Sequence, residues 1–223
     1  MSHAHGYWFD IKGSGKVNQP IKIQVCFGEI DDYNIRHREK GSELALIGTF
    51  KVFIIDEKGV RTDITIKQLS DCWEGTFTPK TKGVYQILAI NEELPVVDRS
   101  STGGKNVRPI DYLCAAYKVE SNNAVQQPFQ VLDILTAKNG KLITIKAYKD
   151  KKLVERSTKL RIFNPDNWEK SPEIHENGEA VFMPTMKGLY IIRQDWTDNT
   201  SGQYKGVSYS GIRHRCNYCL LVK

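Results

Sequence analysis

Apolar and polar residues alternate along most of this chain, and the alternation has a period of two. The stretch IKIQVCFGE, starting at Ile21, puts every second side chain on one face, as a half-buried strand requires. GTFKVFIID is followed by EKG, a hairpin signal, and RTDITIKQL alternates again. DYLCAAYKVE closes a first unit. A second unit reads QPFQVLDIL, then AKNGKLITIKAY, where Asn139-Gly140 is a strong turn signal. DKKLVERSTKLRIF and the HENGEAVF hairpin follow, and RCNYCLLV closes the unit. No stretch of ten or more residues keeps a 3.6-residue period, so an all-β fold is expected.

An internal repeat organises these strands. EGTFTPKTKGVYQI (residues 74–87) and EAVFMPTMKGLYII (residues 179–192) align without a gap at an offset of 105. Glu74, Phe77, Pro79, Lys82, Gly83, Tyr85 and Ile87 match Glu179, Phe182, Pro184, Lys187, Gly188, Tyr190 and Ile192. The pattern describes a strand ending at proline, a Lys-Gly turn whose glycine is free to take positive φ, and a second strand. Such a corner is common in immunoglobulin-like and prealbumin-like sandwiches. The expectation is two tandem β-sandwich domains of that kind, residues 1–121 and 128–223. The polar, proline-ended ESNNAVQQP joins them.

Composition narrows the function classes. With 223 residues, 40% hydrophobic and 26% charged, the chain has enough apolar material for real cores. No apolar run nears the roughly 20 residues of a membrane helix, so the chain is not expected to span a bilayer. The net charge of +6 is spread out, with denser spots at Arg36-His37-Arg38, Lys149–Lys152 and Arg213-His214-Arg215. No nucleic-acid reader motif accompanies them, so no nucleic-acid partner is expected and these read as solvated edges and loops. The opening MSHAHG lacks a basic and an apolar signal region, which fits a cytosolic protein or an exported one beginning at its mature start.

Cys216 and Cys219 have redox or zinc half-site spacing, but in a strand residues three apart face opposite ways. No second CxxC completes a zinc site. The five cysteines therefore read as buried thiols, with at most one cross-strand disulfide per domain. No nucleophile elbow, zincin, P-loop or dinucleotide fingerprint occurs, so no catalytic residues and no cofactor-binding residues are assigned; the chain is not expected to be an enzyme.

The assembled pieces resemble a bacterial cell-envelope family whose members are labelled as periplasmic components of cobalt or nickel uptake systems. HAHGYWF, VNQPIKIQVCFGE, TFTPKTKGVYQI, YKVE and KDKKLVERSTKLRIF…HENGEAVFMPTMKGLYII carry the resemblance, in that order and over nearly the whole chain. The last block resembles a module of the family in which a lysine-rich hairpin leads into a turn, here Glu176-Asn177-Gly178. The resemblance implies a periplasmic or cell-envelope location, and a membrane metal transporter or other envelope protein as partner.

Four residues are singled out as metal ligands: His3, His5, His214 and Glu29. In an extended segment His3 and His5 project from one face about 7 Å apart at Cα. Imidazole suits Ni, Co, Cu and Zn alike, and a divalent ion of that group is the expected ligand. An amino terminus nearby adds nitrogen: amine, backbone amides and His3 make a square-planar site, or His3 at the terminus makes a brace. A disordered tail would also carry such a pair, but Trp8 and Phe9 favour docking. His37 follows an acidic loop where Glu29, Asp31 and Asp32 could supply oxygen ligands, yet it reads as part of a solvated loop. His214 sits before the closing strand between two arginines, and His175 is assigned no role. The leading expectation is a soluble, exported binding protein for a nickel- or cobalt-type metal. The alternatives are an adhesion or carbohydrate-binding module, using Trp196, Tyr204 and Tyr209, and a structural spacer.

Overall fold

The structure, a computed structural model, describes residues 5–121 and 126–223. It is built of β-strands, with two short 3-10 turns over Ser42–Thr49 and Ser100–Thr102. The first half supplies β1 (Gly6–Lys12), β2 (Ile21–Ile30), β3 (Arg36–Arg38), β4 (Lys51–Ile55) and β5 (Arg61–Ile64). It continues with β6 (Lys67–Gln68), β7 (Trp73–Phe77), β8 (Gly83–Asn91) and β9 (Arg108–Val119). The second half supplies β10 (Leu132–Asn139), β11 (Leu142–Lys149), β12 (Lys152–Leu153), β13 (Leu160–Phe163) and β14 (Glu169–Lys170). It ends with β15 (Glu179–Phe182), β16 (Gly188–Asp198), β17 (Gly202–Tyr204), β18 (Val207–Tyr209) and β19 (Ile212–Val222).

Apart from the β17–β18 hairpin, these strands form three layers. One outer sheet has the order β1-β2-β7-β6, with β3 also paired to β2; the other has β10-β11-β12, with β15 beside β11. Between them lies an eight-stranded sheet of order β14-β13-β16-β19-β9-β8-β4-β5. Strands from the two halves therefore meet in one sheet rather than standing in separate sandwiches joined by a linker. β8 and β16, the second arms of the repeated corner, both lie in it, while β7 and β15 lie in different outer sheets. The seam is the parallel pair β9–β19, running from Ile212 opposite Arg108 to Tyr218 opposite Cys114. Unpaired, each of these long closing strands would leave an open edge; pairing them removes both.

The central strands are buried on both faces. In β4, Val52 and Ile54 enter the core under the first outer sheet, and Phe53 and Ile55 enter the core under the second. Ile87 and Leu88 divide the same way on β8, as do Ile191 and Ile192 on β16. This is why FIID, ILAI and LYII are continuous apolar runs, whereas the one-sided outer strands alternate. The order of the central sheet reads the same from either end, with β9 and β19 parallel and the outer sheets on opposite faces. An approximate two-fold axis along the strands, between β9 and β19, relates the halves. Cys216 and Cys219 fall in opposite cores, and all five cysteines are buried free thiols.

The repeated corners share one local device. Gly83 and Gly188 have φ of +153° and +131°, and a Cβ would meet Glu57 at the first and Pro165 at the second. In each corner a tyrosine hydroxyl ties back the preceding turn. Tyr85 Oη donates to Thr81 O at 2.8 Å; Tyr190 Oη accepts from Met186 N at 3.0 Å and donates to Met186 O at 3.2 Å. Tyr85→Phe and Tyr190→Phe should each lower stability by about 1–2 kcal/mol, because backbone groups lose their partner. A lowered urea midpoint with unchanged m-value is the expected result.

Candidate metal centre

The candidate site is set by the register of β1, β2 and β3. Gly6 pairs with Gly28, which puts His5 beside Glu29 at the head of the ladder. On the other side of β2, Glu29 pairs with His37. The order across the sheet end is His5, Glu29, His37. Asp31, two residues beyond Glu29, continues the same face. His5 Nε2 stands 3.1 Å from Glu29 Oε2, and His37 Nε2 stands 2.8 Å from Asp31 Oδ2. Both imidazoles are about half exposed, at 52% and 55%.

Local sequence explains the close approach of β3. A Cβ at position 28 would run into the His37 carbonyl, so Gly28 lets β3 lie against β2. The turn between them is held by Asp31, whose Oδ1 accepts from Tyr33 N at 2.9 Å and Ile35 N at 2.8 Å. Asn34, at φ +62°, reverses the chain. The hydrogen bond from His37 and the Ile35 backbone N–H hold the Asp31 carboxyl below its usual range.

β1 is fastened from below by β19. Arg215 Nη1 donates to His5 O at 3.2 Å, Asn217 Nδ2 donates to Tyr7 O at 2.7 Å, and Phe9 N donates to Cys219 Sγ at 3.1 Å. Tyr7, Trp8 and Phe9 are buried, so the opening segment docks from Gly6 onward. The His5 ring lies over Phe27, 6.0 Å between centroids.

The other expected ligands fall elsewhere. His3 lies outside the described residues. His214 is on β19 but alternates with Arg215, so it points to the opposite face of the central sheet from the arginine that holds His5. It sits between the Tyr112 and Trp196 rings, with Nδ1 2.9 Å from Tyr112 Oη, and burial pulls its pKa below the usual value. That environment stabilises a neutral, packed imidazole, and the neighbouring Arg213 and Arg215 turn toward Asp111 and Asp195. The aromatics weighed for sugar binding are partly covered: Lys149 Nζ lies 3.6 Å above the Trp196 ring and the Arg108 guanidinium 4.3 Å above Tyr204. In the sequence, His37 and Asp31 offer donors but read as part of a solvated loop, and the structure pairs them. The signal available was Gly28 before Glu29, and the nine residues that carry the chain from Glu29 back to Arg38. Among the described residues, no three His, Cys, Asp or Glu side chains already converge as a metal-holding group. No family model matches the chain, and no curated protein matches it either.

The lowered pKa of His214 has a definite sign. The folded state takes up its proton at a lower pH than the unfolded chain, so its contribution to stability is full above about pH 6.5 and declines below it. In a titration followed by NMR, the His214 midpoint should lie below that of a free histidine. Added Zn²⁺ should leave its resonances unshifted.

Proposed function

We propose that this chain is a bacterial envelope protein that binds or delivers a divalent transition metal of the nickel or cobalt type. His5 and Glu29 form the core of the site, and each half of the chain, an outer sheet packed on its own part of the shared central sheet, is immunoglobulin-like or prealbumin-like in arrangement. The observation that carries the reading is the His5–Glu29 pair: an exposed imidazole whose backbone is tied to β19, with its Nε2 3.1 Å from a carboxylate. A neutral imidazole and a carboxylate are borderline donors that suit Zn, Ni, Co and Cu. The resemblance of the motifs, in their order, to the cobalt and nickel uptake family supports a periplasmic or envelope location. It also supports a membrane metal transporter or another envelope protein as the receiver.

Titration calorimetry with Ni²⁺ and Zn²⁺ tests this, on protein whose native amino terminus is free. One ion should bind per chain, and His5→Ala and Glu29→Gln should each weaken binding at least tenfold, about 1.4 kcal/mol. Affinity should fall as pH is lowered, since protons compete with the metal for imidazole and carboxylate donors. The metal-free variants should melt close to wild type, because both side chains lie at the surface end of the ladder. Wild-type affinity weaker than about 10 μM, near 7 kcal/mol of binding, would overturn the reading.

A further inference from the structure

We propose that His37 and Asp31 are the second half of this same site. One divalent ion would be held by two imidazole nitrogens, from His5 and His37, and two carboxylates, Glu29 and Asp31. The inference rests on the metal reading above and specifies its ligands, its coordination and the class of ion.

Register is the first ground. Directly opposed residues on neighbouring strands hold their Cβ atoms roughly 5 Å apart. His5 and His37 flank Glu29 on its two sides in the register, so the three side chains leave the same face of the sheet. Each ring already directs Nε2 at a carboxylate oxygen, at 3.1 Å for His5 and 2.8 Å for His37. A cation entering above Glu29 would take the place of the protons these pairs share. Two carboxylates would neutralise a divalent charge, and both imidazoles would bind in the neutral form.

Rigidity is the second. The backbone under each donor is fixed independently: His5 O by Arg215, His37 by the contact that only Gly28 permits, and Asp31 by its own turn. Asp31 uses Oδ1 for the Tyr33 and Ile35 amides, so Oδ2 is the oxygen left for a metal, held in orientation by those two bonds. Among the described residues the four side chains stand as two pairs and not as a converged group, so closing the site requires their ends to rotate.

Donor chemistry is the third. Two nitrogens and two oxygens with no thiolate, on three strands that cannot flatten around an ion, suit tetrahedral Zn²⁺ or Co²⁺. An amino-terminal chelate of amine, backbone amides and His3 would instead impose a square plane and select Cu²⁺ or Ni²⁺. The two arrangements use different residues and give different spectra.

Co²⁺ titration of the full chain, read by visible absorption and followed by Zn²⁺ displacement, separates them. The expected result is one equivalent of Co²⁺ with the intense ligand-field bands of a tetrahedral site, lost on adding Zn²⁺. His37→Ala should weaken Zn²⁺ binding at least tenfold, and Asp31→Asn, which keeps the turn's Oδ1 acceptor, should do likewise. His3→Ala should change little. If wild type binds but His37→Ala and Asp31→Asn match it, or if His3→Ala alone abolishes binding, this four-donor site is wrong while the metal function stands. If wild type takes up neither Co²⁺ nor Zn²⁺, both fall. Circular dichroism on each variant shows that the strands remain, and a variant that unfolds is replaced by His37→Gln, for which the same outcomes apply.

Discussion

The parallel ladder between β9 and β19 is the constraint on which the rest depends. It converts two open edges into the middle of one sheet, and the sheet is then covered on both faces by different partners. Residues such as Ile54, Ile87, Leu88, Leu113 and Ile192 are almost wholly buried because of it. Each such side chain contributes about 1.5–3 kcal/mol relative to exposure, so the core strands hold most of the apolar burial. One outer sheet covers one face of the shared sheet and the other outer sheet covers the opposite face.

The seam is also where charge is buried. Asp111 lies on β9 next to the arginine-rich start of β19, with Arg213 Nη2 3.6 Å away. Burial raises the Asp111 pKa, and the nearby guanidiniums of Arg213, Arg215 and Arg193 oppose that shift. Arg193 is buried enough that its own pKa drops to about 9, and it donates from Nε to Asn217 Oδ1 at 2.9 Å. Asn217 in turn donates to Tyr7 O, and Arg215 to His5 O. The backbone of β1 thus takes up the Asn217 and Arg215 donors, while Asp111 Oδ2 and Arg213 Nε stay buried without a hydrogen-bond partner among the described residues. The candidate site therefore depends on the seam: the strand that carries His5 is seated by side chains from the far half of the chain.

The corners were legible in the sequence because their causes are local. A glycine at positive φ and a tyrosine reaching back four residues are encoded within fourteen positions, and they recur at the offset of 105. The candidate site was legible in part. His5 and Glu29 stood out by residue type and by the docking aromatics that follow His5. His37 looked like a loop residue because the three-residue β3 is too short to show any alternation. His214 looked eligible by type alone, and only the alternation of β19 across a sheet buried on both faces turns it away.

By itself, the sequence determined the β character, the strand-forming stretches, the repeated corner and which side chains would be apolar. All of these follow from periods and turns spanning a few residues. Tertiary structure alone decided that the halves share a sheet, that β8 and β16 lie in one layer while β7 and β15 part, and that Glu29 stands between two histidines. Those facts depend on register between strands a dozen to a hundred residues apart. No local period records register: it is chosen by which edges need a partner, which faces need a cover, and where a glycine lets two backbones meet.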